Sequence, residues 1–242
     1  MRGTLLHFTT SSSRTVLQAF SAEFPALPSL LVALGSLLLV WMLLRRNRHD
    51  AGKTKTAQQV VDDNGGPGSL KGKVAVITGG NGGIGLETAR ALSSGGCRVV
   101  VGSRNVVNGK AAVKEAGIDE GLVEVLQLDL EDLDSVEMFA AKCNREARID
   151  YLVLNSGIMA LPKLEYTKFG FERQIGTNHY GHFYLVSLLF DKLRSQAFPS
   201  RVVALSSIGH TYGRVNPKDL HYKHGRIYRP WPAYGQSKVR GG

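Results

Sequence analysis

The stretch "KVAVITGGNGGIG", residues 73–85, decides the fold. Its first half is a short apolar run typical of a buried strand, and its second half is a glycine-rich turn that leads into a helical pattern over about 83–94. Such a turn lets the backbone approach a diphosphate, which the free N–H groups and the dipole at the helix N-terminus attract. Surface loops also collect glycine, but the position between a strand and a helix favours a dinucleotide site.

The chain after this stretch alternates between strand and helix patterns. Predicted helices cover about 107–116, 132–145 and 171–194, and the apolar runs around them are "CRVVVGS", "LVEVLQLD", "IDYLVLN" and "SRVVALSS". This alternation predicts βαβ units with right-handed connections. We therefore expect an α/β fold, a Rossmann-type doubly wound parallel sheet, over residues 71–242.

The N-terminal part predicts a membrane anchor. Residues 1–23 are rich in Ser and Thr, a composition typical of an organellar transit peptide or of a disordered tail. Residues 24–46 are uncharged up to Leu44, and about 21 residues suffice to cross a bilayer. The basic cluster "RRNR" follows, which predicts that the C-terminal side faces the cytosol. A buried helix and a cleavable signal peptide are less favoured alternatives, and polar residues 47–70 are predicted to be a linker.

Composition narrows the function classes. The 242 residues suffice for one large α/β domain plus an appendage. The two cysteines, Cys97 and Cys143, lie in apolar or helical contexts and are predicted to be buried free thiols, as in a reducing compartment. The net charge of +10 comes from scattered basic residues, which favours a membrane-facing or NADP-binding protein over one that binds nucleic acid.

The spacing of the turn glycines, G-x3-G-x-G at Gly79, Gly83 and Gly85, resembles the short-chain dehydrogenase/reductase superfamily. The resemblance covers about residues 70–238, where several motifs occur in the family's order. It implies that these glycines, together with Asn81 and Ile84, hold the cofactor diphosphate.

Cofactor type is predicted from the end of the second strand. An NAD enzyme places an acid there to bind the ribose 2′-hydroxyl, whereas this chain has Arg104, which suits a 2′-phosphate. NADP is therefore favoured over NAD. The resemblance also implies that Asp129 contacts the adenine. Asn155, Ser156 and Gly157 match the family's Asn-Asn-Ala-Gly motif, from which the chain departs at Ser156.

Tyr234 and Lys238 form the predicted catalytic pair, about one turn apart on the same face of a helix. A nearby ammonium favours the phenolate, so a phenol can exchange a proton with a carbonyl near neutral pH. Alone, Tyr-x-x-x-Lys is common as a surface pair. The resemblance adds Ser207 as the donor to the substrate carbonyl, with Ser206 as its rival, and Asn178 as the residue that holds a relay water. It also implies that Tyr234 and Lys238 contact the cofactor.

Two histidines, His179 and His182, lie three residues apart on the predicted long helix. Metal ligation is one interpretation, but no third ligand is evident, so packing or a polar surface is favoured and no metal site is predicted.

The interval between Ser207 and Tyr234 is long for this superfamily. Together with the anchor and "NHYGHF", it resembles the retinol dehydrogenase-like branch, which implies a hydrophobic carbonyl or alcohol substrate of retinoid, steroid or lipid type. The aromatic and basic residues of the insert predict either a lid or an exposed loop. The resemblance is compatible with a homodimer and with an endoplasmic-reticulum membrane, and a mitochondrion or plastid is the alternative location.

The chain ends at "VRGG", four residues after Lys238, where members of the superfamily continue. We therefore expect a C-terminally truncated domain without its last strands, in which Lys238 is poorly held and the fifth strand exposes an apolar edge. The alternative to an active oxidoreductase is a truncated, inactive, membrane-anchored protein that binds nucleotide or a partner.

Overall fold

The computed structural model describes residues 54–239. The predicted tail, the predicted anchor over 24–46 and the first part of the predicted linker lie outside the described residues. Within residues 54–239, no helix has both the length and the apolar character that crossing a bilayer requires.

Five parallel strands form one sheet in the described part of the chain, in the order β3-β2-β1-β4-β5. Their bounds are Val74–Thr78 (β1), Arg98–Ser103 (β2), Val123–Gln127 (β3), Tyr151–Leu154 (β4) and Arg201–Ala204 (β5). The predicted parallel α/β sheet is confirmed. Strand order reverses between β1 and β4, and in open α/β sheets ligands bind outside the carboxyl ends of the strands at that point.

The described helical segments, in chain order, are Ala57–Asp63 (α1), Gly83–Ser94 (α2), Val106–Glu115 (α3), Leu133–Cys143 (α4), Arg173–Ile175 (α5), a π-helix Gly176–Tyr180, Gly181–Ser195 (α6), a 3₁₀-helix Ile208–Tyr212 and Pro230–Lys238 (α7). The helices after β1, β2 and β3 begin and end within two residues of the predicted bounds. The helix predicted over 171–194 is instead three consecutive segments, because a π-helix interrupts it.

Helix α1 lies inside the segment predicted to be a linker. A capping box starts it: the Thr56 side chain accepts the N–H of Gln59, and the Gln59 side chain accepts the N–H of Thr56. Val61 is buried and approaches Gly95 at the end of α2, where an added Cβ would lie 3.2 Å from its Cγ1. The linker prediction missed this helix because one buried valine gives little periodic signal.

The core lies on both faces of the sheet. On one face, Val100, Val76 and Leu152 pair across three strands and pack in one cluster with Phe139 of α4 and Leu185 of α6. On the other face, the strand residues Ile77 and Val101 pack in one cluster with Ala89 of α2 and Val113 of α3. Because β1 is buried on both faces, its sequence is an almost continuous apolar run.

The cysteines and the edge strand follow the sequence-based expectations. Cys97 and Cys143 are free and buried, and burial raises the pKa of each thiol to about 12.

Every residue of β5 is exposed, and Val202 and Val203 are each 48% exposed. The fifth strand therefore presents an apolar edge.

Candidate active site

A cavity of about 690 Å³ opens at the carboxyl ends of the strands, where the strand order reverses. Most of the residues predicted to bind cofactor or substrate line it: Gly79, Asn81, Ile84, Arg104, Asp129, Asn155, Ser156, Gly157, Tyr234 and Lys238. Gly83, Gly85, Asn178 and Ser207 do not line it. Its volume lies in the usual range for small-molecule and cofactor sites.

The glycine turn has no room for side chains at two positions. Gly79 has a φ of 68°, and an added Cβ would lie 2.6 Å from Ser156 Oγ. At Gly85, an added Cβ would lie 2.3 Å from the carbonyl oxygen of Gly79. No side chain caps α2 at Gly82, so the free N–H groups of its first turn are available beside the cavity. Gly83, with a φ of 50°, and Gly85 therefore shape the turn, which fits a diphosphate.

Thr78 and Asn155 join the ends of β1 and β4. The buried Thr78 hydroxyl accepts the N–H groups of Asn155 (3.0 Å) and Ser156 (3.1 Å). The Asn155 amide donates in return to the carbonyls of Thr78 (3.0 Å) and Gly79 (3.1 Å). The motif after β4 is therefore fastened directly to the glycine turn.

The end of β2 forms a polar corner of the cavity with Ser103, Arg104, Asn105 and Asn108. The Arg104 side chain is 61% exposed, and its Nη1 lies 3.7 Å from Glu131 Oε1, a loose ion pair that leaves the guanidinium accessible. Asn105 caps α3 by accepting the N–H of Asn108. This corner combines a cation with a helix N-terminus, as an anion site requires.

Asp129 lines the same side of the cavity, beyond the end of β3. Its Oδ1 accepts the N–H of Glu131 at 2.9 Å, and its own N–H donates to Ser135 Oγ at 2.9 Å. These contacts fix the carboxylate at the cavity wall.

Tyr234 and Lys238 lie on α7 and line the cavity together. Tyr234 is buried, and Lys238 Nζ donates to the carbonyl of Leu205 at 3.2 Å. Ser206 Oγ donates to the carbonyl of Lys238 at 3.1 Å, so Lys238, which was expected to be poorly held, makes two hydrogen bonds to the residues after β5. Burial lowers the pKa of the Lys238 ammonium, which makes it a better proton donor than an exposed lysine.

Ser206 and Ser207 occupy different positions. Ser206 lines the cavity, whereas Ser207 caps the 3₁₀-helix by accepting the N–H of Gly209 at 3.0 Å. An added Cβ on Gly209 would lie 2.8 Å from Cε1 of Tyr234 and 3.3 Å from Ser207 Oγ, so Ser207 flanks the tyrosine ring. Because the Ser207 hydroxyl acts as an acceptor in its cap, its proton can be donated to a substrate oxygen.

Asn178 lies in the π-helix and is buried. Its side-chain oxygen accepts the N–H of Ile158 (2.8 Å), and its amide donates to the carbonyl of Ile158 (2.9 Å) and to Ser237 Oγ (2.8 Å). A relay water would therefore bind the backbone carbonyl of Asn178 rather than its amide. An added Cβ on Gly157 would lie 3.2 Å from Asn178 Oδ1 and 3.3 Å from Lys238 Nζ, so these two groups approach the same glycine.

Gln174 is a residue that the sequence reasoning missed. It is fully buried; its side-chain oxygen accepts the N–H of Ala160 (2.7 Å), and its amide donates to the Tyr228 hydroxyl (3.0 Å) and the carbonyl of Pro230 (3.1 Å). Since Pro230 begins α7, Gln174 holds the helix of Tyr234 against the segment after β4. The available signal was spacing, because Gln174, Asn178 and His182 recur every four residues.

The insert between Ser207 and Tyr234 is fastened to α7. The Asp219 carboxylate accepts backbone N–H groups within residues 223–226, and the Arg226 guanidinium donates to the Gln236 side chain at 2.6 Å. Burial alone would raise the pKa of Asp219, but these backbone donors lower it. The insert and its flanks expose large apolar side chains: Ile208, Tyr212, Val215, Ile227 and Trp231.

The two histidines differ in burial: the His179 side chain is exposed, whereas the His182 side chain is buried. Within the part of the chain that the structure describes, no group of three or more His, Cys, Asp or Glu side chains could hold a metal ion.

Comparison with known proteins shows which family the chain resembles. The family model for short chain dehydrogenase matches residues 73–217. Mouse retinol dehydrogenase 12 is 42% identical over 173 residues, which cover 70% of this chain and 54% of that protein. Human retinol dehydrogenase 13 is 41% identical over 175 residues, 71% of this chain and 52% of that protein. The chain thus spans about half the length of the curated relatives it matches.

The solved structures that are similar to this one include the following two. An uncharacterised protein from Mycobacterium paratuberculosis has a TM-score of 0.62 and 42% identity, over 72% of this chain and 60% of that chain. The Pseudomonas aeruginosa RhlG/NADP active-site complex has a TM-score of 0.53 and 26% identity, over 70% of this chain and 62% of that chain.

The close packing of α2 on the glycine turn is testable with Gly85→Ala. The new Cβ meets the backbone carbonyl of Gly79, so we expect the free energy of unfolding of the cofactor-free protein, measured in urea, to fall by about 1–3 kcal/mol. Gly82→Ala is the matched control, since its Cβ meets nothing within 4 Å and its φ of −171° suits any residue; its effect should stay within about 1 kcal/mol. Equal stability of the two variants would contradict the assignment.

Proposed function

The chain belongs to the short-chain dehydrogenase family, in its retinol dehydrogenase-like branch, and on that premise we propose that it is an NADP-dependent oxidoreductase that interconverts a carbonyl and an alcohol on a hydrophobic substrate. The observation that carries the proposal is that Tyr234 and Lys238 line the same cavity as Gly79 of the glycine turn. A phenol and an ammonium beside a dinucleotide cradle are the groups that proton transfer coupled to hydride transfer requires.

The residues around the cavity fit a nicotinamide dinucleotide. The turn from Gly79 to Gly85 and the first turn of α2 would hold the diphosphate, Asp129 would contact the adenine, and the motif from Asn155 to Gly157 would support the nicotinamide half. When bound, the nicotinamide supplies or accepts the hydride.

The protein's own groups handle the proton. Tyr234 donates a proton to the carbonyl oxygen during reduction and accepts one from the alcohol in the reverse direction. Lys238 stabilises the phenolate and donates to the cofactor ribose. Ser207, beside the tyrosine ring, donates a hydrogen bond to the substrate oxygen. The backbone carbonyl of Asn178 holds the water that carries a proton to Lys238.

The preference for NADP rests on the corner at the end of β2. Arg104 has an accessible guanidinium there, and the N-terminus of α3 adds a positive dipole end. A 2′-phosphate accepts charge-assisted hydrogen bonds from such a group. A relative of similar fold is described as an NADP complex, in keeping with this choice.

A hydrophobic substrate is proposed from the surroundings of Tyr234. Met159, which lines the cavity, is 59% exposed, and Trp231 on α7 is 58% exposed. The Trp231 and Tyr234 ring centroids are 6.3 Å apart. Apolar side chains around the reacting phenol favour a retinoid, steroid or lipid-like carbonyl over a hydrophilic one, as the names of the retinol dehydrogenase relatives also suggest.

We also propose that residues 24–46 anchor the protein in the endoplasmic-reticulum membrane with the catalytic domain in the cytosol. The support is the uncharged run in the sequence and the arginine cluster that follows it.

Tyr234→Phe tests the catalytic role. We expect NADPH-dependent reduction of a retinoid aldehyde or a steroid ketone to fall by about 100-fold or more, since the general acid is lost. The dissociation constant for NADPH should stay nearly unchanged. Tyr212→Phe, at an exposed tyrosine, is the control and should keep wild-type turnover. Equal turnover in Tyr234→Phe and wild type would overturn the role, and NADPH binding without any wild-type turnover would support an inactive binding protein.

Arg104→Ser tests the cofactor preference. Loss of a charge-assisted hydrogen bond should raise the dissociation constant for NADPH by about 10- to 100-fold and leave that for NADH unchanged, as calorimetric titration would show. Lys114→Ser removes an exposed cation from the last turn of α3 and should change neither constant. A parallel loss of both cofactors in Arg104→Ser would contradict the 2′-phosphate assignment.

Deletion of residues 24–46 tests the anchor. The full chain should sediment with membranes and resist carbonate extraction, whereas the deletion variant should move to the supernatant. Deletion of residues 1–23 is the control and should stay in the pellet. Imaging of a tagged full chain distinguishes the endoplasmic reticulum from a mitochondrion or plastid, and a full chain in the supernatant would refute the anchor.

A further inference from the structure

His182, near the start of α6, is buried and contacts both halves of the site. Its Nε2 lies 2.8 Å from the hydroxyl oxygen of Thr78, the residue that fastens the end of β4 to β1. Its Nδ1 lies 3.1 Å from the backbone carbonyl of Asn178. One imidazole ring therefore links Thr78, the residue before the glycine turn, to the carbonyl assigned to the relay water.

The direction of each hydrogen bond follows from the number of protons available. The Thr78 hydroxyl already accepts N–H groups from Asn155 and Ser156, and it has one proton to donate. That proton goes to His182 Nε2, which must then be unprotonated. The ring proton is consequently on Nδ1, from which it is donated to the carbonyl of Asn178.

The surroundings keep this ring neutral. Burial lowers the pKa of His182 to about 4, the bond to the Asn178 carbonyl opposes that shift, and the nearby charges of Lys238 and His179 lower the pKa further. The ring thus stays in one tautomer through the physiological range.

We propose that His182 is a positioning residue that holds the glycine turn through Thr78 and the proton relay through the backbone carbonyl of Asn178, in a single neutral tautomer. The proposal rests on the oxidoreductase function proposed above. It requires both ring nitrogens, one as an acceptor and one as a donor, spaced as only an imidazole provides.

Two substitutions separate the two contacts. The asparagine amide can reproduce the Nδ1 donor but not the Nε2 acceptor, so His182→Asn should raise the dissociation constant for NADPH by about tenfold, the ratio expected for one lost hydrogen bond, and change kcat little. The glutamine amide can reproduce the Nε2 acceptor but not the Nδ1 donor, so His182→Gln should lower kcat by about tenfold at nearly unchanged NADPH affinity. His179→Asn and His179→Gln, at an exposed histidine, are the controls and should change neither the dissociation constant for NADPH nor kcat.

The first contact has a readout that does not depend on turnover. Thr78→Val should weaken NADPH binding at least as much as His182→Asn, and adding His182→Asn to Thr78→Val should weaken it no further, because both changes remove the same hydrogen bond. Thermal unfolding identifies any variant that fails to fold. If wild type binds NADPH without turnover, the oxidoreductase proposal fails. The NADPH affinities of Thr78→Val, His182→Asn and the double variant still show whether the Thr78–His182 hydrogen bond supports NADPH binding.

The proposal is overturned if His182→Asn and His182→Gln change NADPH affinity and kcat in parallel, which is the pattern of general destabilisation. It is likewise overturned if neither variant differs from wild type, or if His182→Asn and Thr78→Val weaken NADPH binding additively. The proposal is supported if His182→Asn weakens only NADPH binding and His182→Gln lowers only kcat. It also requires that the effects of His182→Asn and Thr78→Val on NADPH binding are not additive.

Discussion

The hydroxyl of Thr78 is the point on which the site depends. It is fully buried at the carboxyl end of the central strand, accepts two N–H groups from the end of β4, and contacts the ring of His182 on α6. Without an acceptor there, two backbone N–H groups would lose their partner, at a cost of about 1–3 kcal/mol each if they stayed buried. The glycine turn begins one residue later, so its geometry depends on this junction.

The remainder of the site is held mainly by neutral polar side chains that are buried or half-buried. Asn155 joins the two strand ends, Asn178 joins the π-helix to the segment after β4 and to α7, and Gln174 joins that segment to the start of α7. Neutral groups with satisfied hydrogen bonds avoid the desolvation cost of a buried ion pair. They leave Lys238 as a partly buried cation that lines the cavity together with Tyr234.

The sequence predicted the features that have local signatures. The apolar run of β1, the glycine spacing and the alternation of strands and helices indicated the sheet and the first three crossover helices. The spacing of Tyr234 and Lys238 predicted a pair on one helix, and both residues lie on α7 and line the cavity. The sequence could not predict α1, in which Val61 is the one buried residue, or the π-helix, which has no period of its own. Gln174 and His182 were missed as supports because their partners are distant in sequence, although the spacing from Gln174 to Asn178 to His182 indicated a polar face.

The most direct test is a crystal structure of the chain with bound NADPH. The diphosphate is expected against the turn from Gly79 to Gly85, the 2′-phosphate at Arg104, and the nicotinamide ring beside Tyr234 and Lys238. A dinucleotide bound elsewhere on the protein, or a nicotinamide ring directed away from Tyr234 and Lys238, would contradict this expectation.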